Sequence, residues 1–196
     1  MSDPLYAAID SHFLAPEALA RVRHLGRAAR DADGWFKGEL AYLVATLVDD
    51  GTLTDWRINV PIREGRPQRC DFRLLAARPE VSKDTPLWLE VKALPQGGSP
   101  SGRVDPGFFL QKGGPGDTST ALSAGITEDL VKLMRVPDGD TAVLLFAYPR
   151  PEADAWSEIM SAYARRIAPI AFKETTSLAD YPPELYVCKL KLTGGF

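Results

Sequence analysis

The chain has 196 residues, 45% hydrophobic and 25% charged, which suits one domain with its own core, is too short for two ordinary domains and a linker, and excludes collagen-like, coiled-coil and disordered classes. Apolar runs such as Leu87 to Leu89 and Ala142 to Ala147 fall far short of the roughly 20 residues of a membrane-spanning helix, and Asp3 and Asp10, with no basic start, do not read as a signal peptide. With a net charge of −3, any nucleic-acid partner has to be held by a local basic surface or through bound metal.

Asp3-Pro4 and Ala15-Pro16-Glu17 place proline where the missing N–H of a first helical residue does no harm, so two N-terminal helices are expected, the second running to about Arg30. Its Arg21, Arg23, Arg27 and Arg30 read as a solvated face. After Asp33-Gly34, Phe36, Leu40, Leu43, Val44 and Leu47 recur at helical spacing across Trp35 to Val48, and Gly51 supplies the stop. Glu39 lies three residues after Phe36 and four before Leu43, on the edge of the apolar stripe, where a carboxylate needs a partner.

From Leu53 the period falls to two. Trp56, Ile58 and Val60 alternate with Asp55, Arg57 and Asn59 in a half-buried strand that ends at Pro61. Arg69 to Ala76 and Leu87 to Leu94 are two further strands, divided by the polar segment Arg78 to Asp84, and the three are expected to form an antiparallel meander. Pro95 to Ser119, rich in Gly, Pro, Ser and Thr, reads as a long loop bordering the site. A helix over about Thr120 to Arg135 presents Leu122, Ile126, Leu130, Leu133 and Met134 on one face, and Pro137-Asp138-Gly139-Asp140 turns the chain into Thr141 to Tyr148, a continuous apolar strand expected at the centre of the sheet.

Pro149-Arg150-Pro151 opens an amphipathic helix with Trp156, Ile159, Met160, Tyr163 and Ile167 on its apolar face, and Tyr186 to Leu192 closes the chain as a strand. Cys70 and Cys188 are too far apart in the chain for a CxxC pair or zinc knuckle and are expected as reduced core thiols of a cytoplasmic protein. The element order gives an α/β sandwich around a mixed sheet in one domain: N-terminal helices over 1–32, a motif-bearing core over 33–148, and a C-terminal helix and edge strand over 149–196.

The chemistry starts at Leu87 to Leu94, where Glu90 and Lys92, two residues apart, share one sheet face. Charges on such a face are costly to desolvate, so they pair, bind metal or do chemistry. If the second and third strands form a hairpin centred between Glu80 and Val81, Asp71 stands opposite Glu90. Two carboxylates as cross-strand neighbours call for a cation between them, most economically a divalent metal.

With these residues the chain resembles the PD-(D/E)xK nuclease superfamily, the fold of many restriction and repair endonucleases. That pattern is a helical Glu, an Asp beginning one strand and (D/E)-x-K in the next, and by position Glu39, Asp71 and Glu90-Val91-Lys92 match it; Cys70 stands where the family often has proline. The resemblance covers Trp35 to Leu94 by motif and the next helix and strand by order of elements. It implies a restriction-endonuclease-like three-layer α/β/α sandwich with an N-terminal helical extension, and a metal-dependent DNA endonuclease. Asp71, Glu90, the Val91 carbonyl and Glu39 would hold Mg²⁺ or Mn²⁺, and Lys92 would orient or help deprotonate the attacking water.

Asp129-Leu130-Val131-Lys132 sets an acid and a base three apart on one helix face and reads first as a surface ion pair. An Asp-x-x-Lys helix recurs at this place in some members of the superfamily, which would bring Lys132 to the substrate. Among Arg57, Arg63, Arg66, Arg69 and Arg73, Arg73 shares the parity of Asp71 and is the one expected to touch phosphate. Other chemistries lack their motifs: His12 and His24 fit no HExxH, no GxSxG is present, and Gly113-Gly114-Pro115-Gly116 is not followed by Lys-Ser/Thr.

The expected partner is a nucleic acid, DNA before RNA, with no membrane. Cutting both strands of a duplex calls for two sites, which is compatible with a homodimer or larger complex, and no residue marks an interface. The competing reading is an inactive module of the same fold that binds protein or nucleic acid as a subunit of a larger assembly.

Overall fold

Pro16 opens its helix as expected and Pro4 stands third in the other in the computed structural model, which describes residues 2–28, 33–63, 67–76, 85–95, 126–167 and 172–192. Helix α1 spans Ser2–Phe13 and α2 spans Pro16–Ala28. Helix α3, Asp33–Asp49, buries Phe36, Leu40, Leu43, Val44 and Leu47 and stops at Gly51, whose φ of 80° suits glycine alone. There follow β1 (Leu53–Pro61), β2 (Arg69–Ala76), β3 (Leu87–Pro95), α4 (Ile126–Leu133), β4 (Asp140–Tyr148) and α5 (Ala153–Ile167). A three-residue β5 (Phe172–Glu174), a 3₁₀ turn (Leu178–Asp180) and β6 (Tyr186–Leu192) complete the order. The stretch read as a long loop lies outside the described residues except for Pro95, which closes β3; so do residues 120–125, the start expected of α4.

The six strands form one mixed sheet in the order β1-β2-β3-β4-β6-β5, with β3 and β4 parallel and every other neighbouring pair antiparallel. The expected meander is present, and the apolar β4 lies inside the sheet with Ala142 to Tyr148 all buried. The last strand is not at the edge, as the sequence suggested. β6 lies between β4 and β5, and the edge belongs to β5, whose three residues are too few to show a strand pattern. At the opposite edge, Ile58 of β1 is 57% exposed, so the alternation read there does not bury it.

Helices cover both faces. Phe13 of α1 and Phe36 of α3 pack on Phe146, at 4.6 and 4.4 Å between ring centroids. Trp156 of α5 meets Tyr186 edge-on at 5.2 Å, and Tyr186 stands beside Ala147 in the β4–β6 register, so this contact is on the other face from Phe146. An ion pair ties α1 to β6: Lys189 is 3% exposed, its ammonium contacts the half-buried Asp10 carboxylate and the Tyr181 hydroxyl, and it stands 5.4 Å from the Tyr6 ring centroid. Cys70 and Cys188 are free and buried. Among the described residues no helix is long and apolar enough to cross a membrane.

Candidate functional site

The β2–β3 ladder runs from Leu74 opposite Leu87 to Phe72 opposite Leu89, and one further step sets Asp71 against Glu90, the register that hairpin symmetry predicts. At that step carboxylates take over from the backbone. The Val91 N–H donates to Asp71 Oδ2 at 2.9 Å, the Asp71 N–H to Glu90 Oε1 at 3.3 Å, and the Ala93 N–H to Asp33 Oδ1 at the start of α3. Strand β3 keeps its parallel partner β4 on its other side through Pro95. The opening between β2 and β3 is therefore lined by acids that satisfy backbone donors.

Lysines from three elements converge on these acids. Lys37 Nζ of α3 is 2.9 Å from Asp71 Oδ1, Lys132 Nζ of α4 is 2.7 Å from Glu90 Oε1 and 2.9 Å from Asp129 Oδ1, and Lys92 Nζ of β3 is 3.2 Å from Asp129 Oδ2. Helix α4 reaches the site because Ile126, Leu130 and Leu133 bury one face, which carries the neighbouring Asp129 inward to 6% exposure. Asp129-x-x-Lys132 thus belongs to the cluster, where its spacing alone suggested a surface pair.

Asp33, Asp71, Glu90 and Asp129 outnumber Lys37, Lys92 and Lys132 by one charge. The consequence falls on Glu90, 1% exposed. Burial first, then the charges of Asp71 and Asp129, push its carboxyl from 4.5 up to about 8 against the pull of Lys132. Lys92 is also raised, which for an ammonium favours the charged form: burial works against its charge, but Asp129, Asp33 and Asp71 together hold it above its ordinary range. Asp129 Oδ2 is buried with no hydrogen-bond partner, facing Lys92 at ion-pair distance only.

Of the residues expected at the site, the structure brings together Asp71, Glu90, Val91, Lys92 and Lys132, and it places Glu39 elsewhere. Both oxygens of Glu39 are taken, one by His12 Nε2 at 3.1 Å and the other by Arg21 Nη1 at 2.8 Å. Two residues are roughly 200° of helix, so Lys37 and Glu39 flank the buried stripe of α3 on opposite sides, Lys37 toward Asp71 and Glu39 toward α1 and α2. The acid that α3 gives the cluster is Asp33, one turn before Lys37 on the same flank. Its sequence signal was that four-residue spacing, masked by the adjacent Gly34, which made Asp33-Gly34 read as a separator. Arg73 lies over the Trp88 ring, 5.6 Å from its centroid, two cross-strand pairs from Asp71 and Glu90.

Among the described residues, no group of three or more His, Cys, Asp or Glu side chains is assembled to hold a metal ion by itself, because the lysines stand between the acids. The donors at the opening are the Asp71 and Glu90 carboxylates, oxygen ligands of the type a hard divalent cation takes, and each contacts a lysine ammonium. The excess of one acidic side chain and the raised Glu90 both mark a site short of positive charge. Comparison with family models, with curated proteins and with solved structures finds no match in any of the three.

Proposed function

We propose that this chain is a metal-dependent nuclease of the restriction-endonuclease-like fold, hydrolysing phosphodiester bonds in DNA. The observation that carries the reading is the meeting of Asp71 and Glu90 across the open end of the β2–β3 ladder, with Lys92 two residues on. Helices on both faces of the mixed sheet agree with that fold. Asp71, Glu90 and the Val91 carbonyl would hold Mg²⁺ or Mn²⁺. Bound there, the ion supplies Lewis-acid polarisation of the phosphodiester and a more acidic attacking water.

The chain's own groups do the rest. Lys92 keeps its proton at neutral pH because three carboxylates outweigh its burial, so its role is to orient the water and to stabilise charge on the phosphoryl oxygens, ahead of acting as a base. Asp129 positions Lys92, and Asp33 fixes the backbone of β3 one residue beyond it. Lys37 pairs with Asp71 and Lys132 with Glu90, so both ammonium groups would stand beside the substrate phosphate and offset its charge.

The test is digestion of supercoiled plasmid and single-stranded DNA with Mg²⁺, Mn²⁺ or EDTA, by the wild type, Asp71→Ala and Lys92→Ala. Cutting that needs metal and is lost in both folded variants supports the nuclease. A second reading, an inactive module of the same fold, is favoured by the lysine partners that Asp71, Glu90 and Asp129 already have; it expects no cutting and no stabilisation by metal.

A further inference from the structure

An acidic nuclease needs a local basic surface for its substrate, and one cavity has the chemistry. Ile62, Arg63, Pro67, Gln68 and Arg135 line a space of about 380 Å³. The Ile62 N–H donates to the Gln68 carbonyl at 3.1 Å, which ties the end of β1 to the start of β2, and Arg135 Nη1 donates to Gln68 Oε1 at 3.4 Å. Among the described residues, the lining carries two guanidinium groups and no carboxylate. Arg21, Arg23 and Arg57 each have an acidic partner; among the described residues Arg63 and Arg135 have none, and both are exposed. A planar guanidinium fork matches the oxygens of a phosphodiester, and two of them from segments far apart in sequence make a clamp. The Gln68 carboxamide, its oxygen turned to Arg135, keeps its N–H donors for the same ligand.

The cavity is joined to the carboxylate cluster by two of the elements that build it. Gln68 precedes Asp71 by three residues, about 10 Å of strand. Arg135 follows Lys132 by one turn, its N–H donating to the Lys132 carbonyl at 3.0 Å. At 3.4 Å rise per nucleotide, that separation corresponds to roughly three nucleotides of one strand.

We infer that Arg63 and Arg135 clamp a backbone phosphate of the nucleic-acid strand, a few nucleotides from the phosphodiester that lies at Asp71 and Glu90. This rests on the nuclease reading and adds the anchor by which an acidic protein holds its substrate. The clamp reads charge and backbone, so it serves every base sequence alike.

The experiment measures binding of fluorescein-labelled single-stranded and duplex oligonucleotides by anisotropy, in EDTA and over a series of KCl concentrations, with Mg²⁺-dependent cleavage scored in parallel. Arg63→Ala/Arg135→Ala is expected to bind about tenfold more weakly, with a log–log salt slope shallower by about one to two. Arg165→Ala, which removes an exposed arginine of α5, is expected to leave both unchanged. Wild-type binding with the same affinity and slope in the double variant overturns the clamp while wild-type cleavage still upholds the nuclease. An equal loss in Arg165→Ala overturns it as well, because the effect is then one of net charge. A wild type that neither binds nor cuts overturns both.

Discussion

Glu90→Gln removes a carboxyl whose ionisation the fold opposes. In the folded chain burial and the neighbouring Asp71 and Asp129 raise Glu90 to about 8, whereas the unfolded chain leaves it at 4.5. Below pH 4.5 both states are protonated and the group contributes nothing to the pH dependence. Between 4.5 and 8 the folded state binds the extra proton, so stability falls as pH rises, and above 8 the full penalty stands. The span from 4.5 to about 8, at ~1.36 kcal/mol per pH unit, amounts to about 5 kcal/mol, a large share of the roughly 5–15 kcal/mol that holds a domain folded. This is an upper figure, since water and neighbouring dipoles relax around the newly charged acid.

Urea unfolding of the wild type and Glu90→Gln at pH 5, 7 and 9, in EDTA, reads it out. The wild type should lose several kcal/mol across that range and the variant should not, so the variant becomes the more stable protein at pH 9. Added Mg²⁺ should restore the wild type at pH 9 and leave the variant unmoved. Parallel profiles for the two proteins would refute the argument that the site lacks positive charge.

Asp33→Asn should lower metal-dependent cleavage at least about tenfold with a small change in stability, because it loosens β3 beside Lys92. Glu39→Gln should cut within about twofold of wild type and lose about 1 kcal/mol of stability as His12 and Arg21 lose a charged acceptor; the reverse pattern would return the α3 role to Glu39. Asp10→Ala should lower unfolding free energy by about 3–5 kcal/mol, since it strands the Lys189 ammonium in the core, and a loss under about 0.5 kcal/mol would show that water reaches that lysine.

How much of this was legible in the sequence follows from the range over which each signal acts. Stripe and alternation are local, so α3, β2, β3 and β4 could be read to within a residue or two, and parity plus hairpin symmetry sufficed to pair Asp71 with Glu90. Glu39 and Asp33 show where local signals stop: both flank the same stripe, and only the packing of α1 and α2 against one side decides which acid faces the sheet opening. Asp129 and Lys132 have the spacing of any surface pair, and their burial comes from the docking of α4 beside β3. Strand β5 was missed because three residues carry no period, and with it went the edge position assigned to β6.

The central claim, that the acids and lysine at the open end of β2 and β3 cleave phosphodiester bonds with a divalent cation, is tested most directly by plasmid cleavage with the wild type and Lys92→Ala, matched for thermal stability. The account predicts nicking or linearisation by the wild type in Mg²⁺ or Mn²⁺, none in EDTA, and none by the variant under any condition. Equal cutting by both proteins, or no cutting by the wild type on any substrate together with no metal-induced rise in its melting temperature, would contradict it.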